Sequence, residues 1–194
     1  MRALLTALFV LVPTAAFAHP GHGDALGFVA GMAHPMGGLD HILCMLAVGV
    51  FAAGLGGRAL ILVPLSFVGM MAVGFALGAN GVGLPFVELA IALSSIVIGA
   101  VAASGKSMPL AGAMTLVGAF AIFHGHAHGT ELPVNAGGLE FAAGFMLATA
   151  ALHGIGIAGS VAIARLTERH GRTLSRIAGA AFALGGVAVL AGVL

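Results

Sequence analysis

Two short segments of the chain combine histidines with carboxylates at helical spacing, and that combination suits transition-metal binding. The segments are residues 34–41 (HPMGGLDH) and residues 123–131 (FHGHAHGTE). In the second, His124, His128 and Glu131 stand at i, i+4 and i+7, on a single face of a helix, whereas His126 points elsewhere. Imidazole and carboxylate ligands together suit nickel, cobalt, zinc or copper(II), whereas magnesium and calcium prefer oxygen ligands alone.

The first segment holds His34, Asp40 and His41. In a continuous helix the two histidines would lie two turns apart, about 10 Å, which is too far for one metal ion to bridge directly. Pro35 and the glycine pair at 37–38 favour a break in the helix, since proline cannot continue the backbone hydrogen bonding. Such a break could fold His34 back toward Asp40 and His41.

Other polar residues of this apolar chain could extend a metal path. Ionisable groups within a membrane segment are costly and are usually functional. The additional candidate ligands are His19, His22, Glu88 and His153. For Glu88 and His153 the alternative is that each satisfies a backbone group or a neighbouring helix. Ser94 and Ser95 have no catalytic partner nearby in the sequence, so we expect them to form hydrogen bonds between helices.

The elements that must position these residues are membrane helices. Of the 194 residues, 60% are hydrophobic, only 7% are charged and 32 are glycine, and the mean hydropathy is +1.17. A soluble domain needs a more charged surface, whereas small residues allow membrane helices to pack closely. The sequence therefore predicts an all-α, polytopic membrane helical bundle. Its six transmembrane helices are expected near residues 38–53, 59–78, 85–103, 108–123, 139–164 and 174–194.

The first 18 residues are predicted to be a cleaved signal peptide, which leaves residues 19–194 as a single transport domain. Arg2 precedes an apolar stretch, and Ala16-Phe17-Ala18 fits the small-residue cleavage rule. If residue 19 starts in the periplasm, every Lys and Arg of the mature chain falls on the cytoplasmic side, as the positive-inside rule requires. The predicted location is the bacterial inner membrane, with a periplasmic mature N-terminus.

These residues together resemble the HupE/UreJ family of nickel permeases, over nearly the whole chain. The resemblance rests on the His34-x5-Asp40-His41 pattern and on residues 123–131. It implies energy-independent or gradient-driven nickel uptake, with motif residues at His34, Asp40, His41, His124, His128 and Glu131. Glu88 matches a further acidic position of the family, and His126 fills a variable one. Family members assigned to cobalt or copper keep similar motifs.

The function predicted from the sequence is import of a divalent transition metal from periplasm to cytoplasm. Nickel is the first choice, with cobalt, copper and zinc as alternatives, and no prosthetic cofactor or enzymatic activity is expected. The expected partners are the metal ion and the lipid bilayer, and a homo-oligomer is compatible with these features. No nucleic-acid or nucleotide site is predicted, because Gly105-Lys106-Ser107 lacks the earlier glycine of a phosphate-binding loop. The alternative function is a membrane-embedded metalloenzyme of the histidine-box type.

Overall fold

The computed structural model describes residues 23–132, 137–167 and 170–194, and within these ranges it contains helices and no strands. The predicted signal peptide and the candidate ligands His19 and His22 lie outside the described residues. The helices in chain order are α1 (Gly23–Ala33), α2 (Leu39–Leu55), α3 (Ala59–Ala79), α4 (Val87–Ser104), α5 (Leu110–Thr130), α6 (Gly138–Leu166) and α7 (Gly171–Leu190). A 3-10 turn, His34–Gly37, separates α1 from α2.

The prediction of an all-helical membrane protein is confirmed. Helices α3 to α7 are each long and apolar enough to cross a membrane, and α2 joins them as a sixth if it is taken together with the bent segment that precedes it. Most predicted boundaries agree to within a few residues. The exception is α5, which was expected to end at residue 123 but continues to Thr130. The three histidines of the second segment are therefore helical.

A sharp bend separates α1 from α2. The helical segments on its two sides differ in direction by 87°. Pro35 is buried within the turn, and Gly38 has an extended backbone (φ −112°, ψ 120°), so the hydrogen bonding of one helix does not continue into the next. Helix α1 consequently packs on the first part of α6, with Gly31 against the backbone of Phe141.

Glycines allow α3 and α5 to pack backbone against backbone. Gly74 and Gly78 of α3 contact Ile122 and His126 of α5, and a side chain at Gly125 would collide with the carbonyl group of Met71. Membrane helices gain little from apolar contact alone, because lipid is equally apolar, so small residues that permit close approach set their pairing. Since Gly125 and Gly129 face α3, the preceding residues, His124 and His128, face the adjoining side of α5.

The same kind of contact joins the remaining helices. Gly49 of α2 meets Gly156 of α6, and Gly99 of α4 meets Gly179 of α7. The described basic side chains lie at the helix ends opposite the two histidine segments, as the connectivity requires. They are Arg58, Lys106, Arg165, Arg172 and Arg176.

Candidate metal site

The fold brings the two histidine segments together at one end of the bundle. His34 of the 3-10 turn and His128 and Glu131 of the α5 C-terminus offer ligand atoms that all lie within 4.8 Å of one another. We call these three residues the outer trio. Glu131 is exposed, His34 is half-buried and His128 is buried, so the trio extends from the surface into the protein. Within the described ranges no other three His, Cys, Asp or Glu side chains come this close together.

A hydrogen bond already joins two members of the outer trio. His34 Nε2 donates to Glu131 Oε2 over 2.9 Å. This contact holds the turn after α1 against the end of α5. A metal ion that bound here would replace the proton between the two side chains, because both ligands must be deprotonated to bind it.

His41 lies beside His128 of the outer trio and is oriented by Asp40. The Asp40 Oδ1 atom accepts hydrogen bonds from the His41 backbone N–H over 2.8 Å and from His41 Nδ1 over 2.9 Å. Since a carboxylate only accepts, Nδ1 carries the proton, and in the neutral imidazole Nε2 then carries the lone pair. Nε2 is buried and has no hydrogen-bond partner among the described residues, so it is the nitrogen left to bind a metal.

His124 continues the series of imidazoles into the protein. Its ring stands edge-on to that of His41, with the ring centroids 4.7 Å apart. Its Nε2 atom is 2.9 Å from Ser94 Oγ of α4, while Nδ1 is buried and has no partner in the described part of the chain.

Within the outer trio, His128 is the member that connects His34 to His41. The centroid of its ring is 4.9 Å from that of His34 and 5.0 Å from that of His41. Neither of its ring nitrogens makes a hydrogen bond to any described residue. Buried polar atoms in folded proteins are nearly always paired, so two unpaired nitrogens at this position indicate a side chain available to a ligand.

His153 of α6 is the deepest histidine. It is buried, both ring nitrogens lack a partner within the described ranges, and its ring is edge-on to Phe67 at a centroid distance of 5.1 Å. Phe67 also lies 5.6 Å from the His124 ring. The rings of His34, His128, His41, His124, Phe67 and His153 thus form a continuous series from the surface to the interior, which we call the imidazole column.

Two predicted ligands stand apart from the column. His126 Nε2 donates to the carbonyl oxygen of Val82 over 2.6 Å, which ties α5 to the loop between α3 and α4. Glu88 is exposed in the first turn of α4 and takes part in none of the contacts above. The sequence placed both residues at the correct end of the bundle but does not show which way they point.

Sequence reasoning missed the partner of Ser94 and the position of Phe67. A hydrogen bond between helices was expected for Ser94, and the structure provides one to His124. Ser95 was expected to do the same, but in the structure it donates to Ala92 of its own helix. Phe67 carried no signal in the sequence, because a phenylalanine in an apolar helix is normally a packing residue.

The arrangement is suited to a dication of borderline softness. Several neutral imidazole nitrogens lie next to two carboxylates, Asp40 and Glu131, both at the outer end. The carboxylates offset the charge of an entering ion, and the imidazoles favour a transition metal over calcium or magnesium.

Comparisons with known proteins agree over nearly the full length of the chain. The family model described as "HupE / UreJ protein" matches residues 7–189. The curated protein "Protein HupE" of Rhizobium leguminosarum bv. viciae is 46% identical over 182 residues, which cover 93% of each chain. No solved structure matches the chain significantly.

Proposed function

Because the chain belongs to the HupE/UreJ family, we propose that it imports a divalent transition metal, nickel first, across the bacterial inner membrane. Family membership supports metal transport in general. The observation that carries the specific proposal is the imidazole column, in which buried nitrogens of His41, His124, His128 and His153 lack hydrogen-bond partners among the described residues. A row of free lone pairs inside an apolar bundle is costly unless an ion uses it.

The path begins at the outer trio. A hydrated ion meets exposed Glu131 and His34, exchanges water for these ligands and gains His128 as a third. His128 is also next to His41, so it can retain the ion while His41 replaces the outer ligands. His124 and then His153 follow along the column. Replacing one ligand at a time avoids leaving a bare dication in the low-dielectric interior, which would be prohibitively expensive.

The donor set supports a first-row transition-metal dication; the family makes nickel the first choice, with cobalt, copper and zinc as alternatives. Nitrogen-rich sites bind first-row dications in an order that rises toward copper, so the choice among these metals depends on geometry and on which metal is available. No prosthetic group is needed for this function, because the ion is the cargo.

The distribution of charge supports inward transport. The outer trio and Asp40 lie at one end of the bundle, and the described basic side chains lie at the other. Since Lys and Arg are retained on the cytoplasmic side of bacterial membranes, the histidine end would face the periplasm.

A membrane metalloenzyme is the second candidate, because unpartnered histidines also suit a resident metal. Such an enzyme needs a substrate cleft at its metal. One groove of the molecule, between α3 and α5, is lined by Ser66, Met70 and Thr115 among others, and it contains no histidine. The contacts of the imidazole column instead run from the outer trio, with its exposed Glu131, to the buried His153, a geometry that favours an ion path.

Flux measurements in proteoliposomes separate the two candidates. With a nickel-sensitive dye trapped inside, we expect uptake by the wild-type protein and a loss of at least about tenfold in Asp40→Ala and in His41→Ala, because each removes part of an oriented ligand pair. The exposed His170→Ala, at the opposite end, serves as the control and should transport normally. Stoichiometric metal that stays bound through purification, together with no flux, would contradict transport and favour the metalloenzyme.

A further inference from the structure

We infer that Ser94 is a positioning residue that selects which nitrogen of His124 faces the ion. In this inference, which rests on the proposed function, the Ser94 hydroxyl keeps the proton of His124 on Nε2. The lone pair on Nδ1 is then presented to the imidazole column, where His124 acts as an inner ligand with His41.

The inference follows from counting protons. The Ser94 hydroxyl has a single hydrogen, and it donates to the Ile91 carbonyl oxygen, 2.6 Å away. The same Ser94 oxygen is 2.9 Å from His124 Nε2. With its own hydrogen already engaged, Ser94 can only accept from the imidazole, so Nε2 must carry the proton. In neutral histidine the other nitrogen, Nδ1, then bears the lone pair.

The opposite tautomer is disfavoured by burial. If Ser94 donated to Nε2 instead, the proton of His124 would sit on Nδ1. That atom is buried with no hydrogen-bond acceptor in the described part of the chain, and a buried donor without an acceptor is unfavourable, whereas an unprotonated Nδ1 can bind the ion of the proposed function. Both Ser94 and His124 are fully buried, so water does not compete for these bonds.

The neighbouring histidine is oriented by the same kind of contact. Asp40 holds the proton of His41 on Nδ1 and leaves Nε2 free, and the His41 and His124 rings are in edge-to-face contact. One histidine thus offers Nε2 and the other Nδ1, each fixed by a group behind it. Such supporting hydrogen bonds orient metal-binding imidazoles and raise their basicity.

Ser95 provides a matched control on the next position of α4. It is also fully buried, and its hydroxyl donates to a carbonyl of its own helix, that of Ala92, over 3.0 Å. Unlike Ser94, it has no hydrogen bond to an imidazole. Ser95→Ala therefore removes the same hydroxyl group without changing the support of His124.

The test measures the tautomer directly in the metal-free, full-length protein. Nitrogen NMR of protein labelled with 15N-histidine distinguishes Nε2–H from Nδ1–H, and His124→Gln identifies the signals of His124. We expect the Nε2–H form of His124 in the wild type and in Ser95→Ala, and a mixed or reversed population in Ser94→Ala. Nickel affinity should fall by about 10- to 100-fold in Ser94→Ala, the usual effect of losing a supporting hydrogen bond, and should be unchanged in Ser95→Ala.

The outcomes separate this inference from the proposed function. A wild-type protein that transports nickel with His124 in the Nδ1–H form overturns the inference and leaves the function standing. Equal nickel affinity in the two alanine variants also overturns it. If His124 has the Nε2–H form but the wild type neither binds nor transports nickel, cobalt, copper or zinc, the proposed function fails.

Discussion

His126 and His128 are the same residue type two positions apart in α5, but they have different roles. His128 faces the neighbouring histidines with both nitrogens free of any described hydrogen-bond partner, whereas His126 donates to the backbone of Val82. Because α5 advances 100° per residue, positions 126 and 128 point to different sides of the helix. One imidazole is available to an ion, and the other fixes a loop.

Substituting each histidine by glutamine should therefore produce opposite effects. In His128→Gln we expect nickel affinity to fall by at least about 100-fold, since the loss of a supporting group alone costs 10- to 100-fold, with little change in stability. In His126→Gln we expect normal affinity and a loss of about 1 kcal/mol, because a backbone carbonyl loses its donor. Titration calorimetry and thermal unfolding in detergent measure the two quantities, and a drop in affinity for both variants alike would contradict these assignments.

At the scale of elements, the bend before α2 places Gly38 beside the side chains of Asp40 and His41, which are joined by a hydrogen bond. A Cβ atom at Gly38 would lie 2.7 Å from Asp40 Oδ1 and 2.9 Å from His41 Nδ1. Side-chain tips can move away at little cost to folding. Doing so would break the hydrogen bond that orients His41.

Gly38→Ala should accordingly weaken metal binding without unfolding the protein. We expect nickel affinity to fall by about 10- to 100-fold, as for other lost supporting contacts, while the melting temperature changes little. Gly37→Ala is the matched control, because no atom lies within 4 Å of the added methyl group. Equal nickel affinities in the two variants would show that the orientation of His41 by Asp40 has no effect on binding.

The close backbone packing between α3 and α5, which we call the α3–α5 seam, leads us to a prediction about stability. A Cβ atom at Gly125 would collide with the backbone of Met71, so Gly125→Ala should destabilise the protein by about 1–3 kcal/mol, as overpacking does. Gly69→Ala in α3 adds the same methyl group where nothing lies within 4 Å and should cost nothing. Unfolding monitored by circular dichroism compares them, and equal stability would mean that the seam is looser than described.

At the scale of the whole molecule, the two ends differ in charge, and this difference determines the orientation that we propose. Thr173 lies among the basic residues at one end, and Gly83 lies in the loop at the other. Cys44, the natural cysteine, is buried and should react little with thiol reagents.

Cysteine labelling in intact spheroplasts tests this orientation. A membrane-impermeant maleimide should label Gly83→Cys from outside and should label Thr173→Cys only after the cells are lysed. The positive-inside rule is the physical reason. Labelling of Thr173→Cys in intact spheroplasts would reverse the proposed direction of entry.

Much of the molecule could be predicted from the sequence. The parts that could not be predicted share one physical cause. Long apolar stretches reveal membrane helices because each must satisfy its own backbone in lipid. The spacing of His124 and His128 shows that they share a face, but it does not show which helix that face meets. The contacts of Ser94, Phe67 and His126 depend on how α5 is rotated against its neighbours. Glycine packing with α3 sets that rotation, and the effect appears only in three dimensions.

Helices α3 and α5 pack backbone against backbone at their glycines, so a large shift of one helix relative to the other would open this contact. His34 lies outside this helix pair, since it follows α1 and rests on Phe141 of α6. An ion bound by both His34 and His128 would therefore link the turn after α1 to the α3–α5 pair. In the proposed path, passing the ion from His34 to His41 while His128 keeps hold of it would release that link.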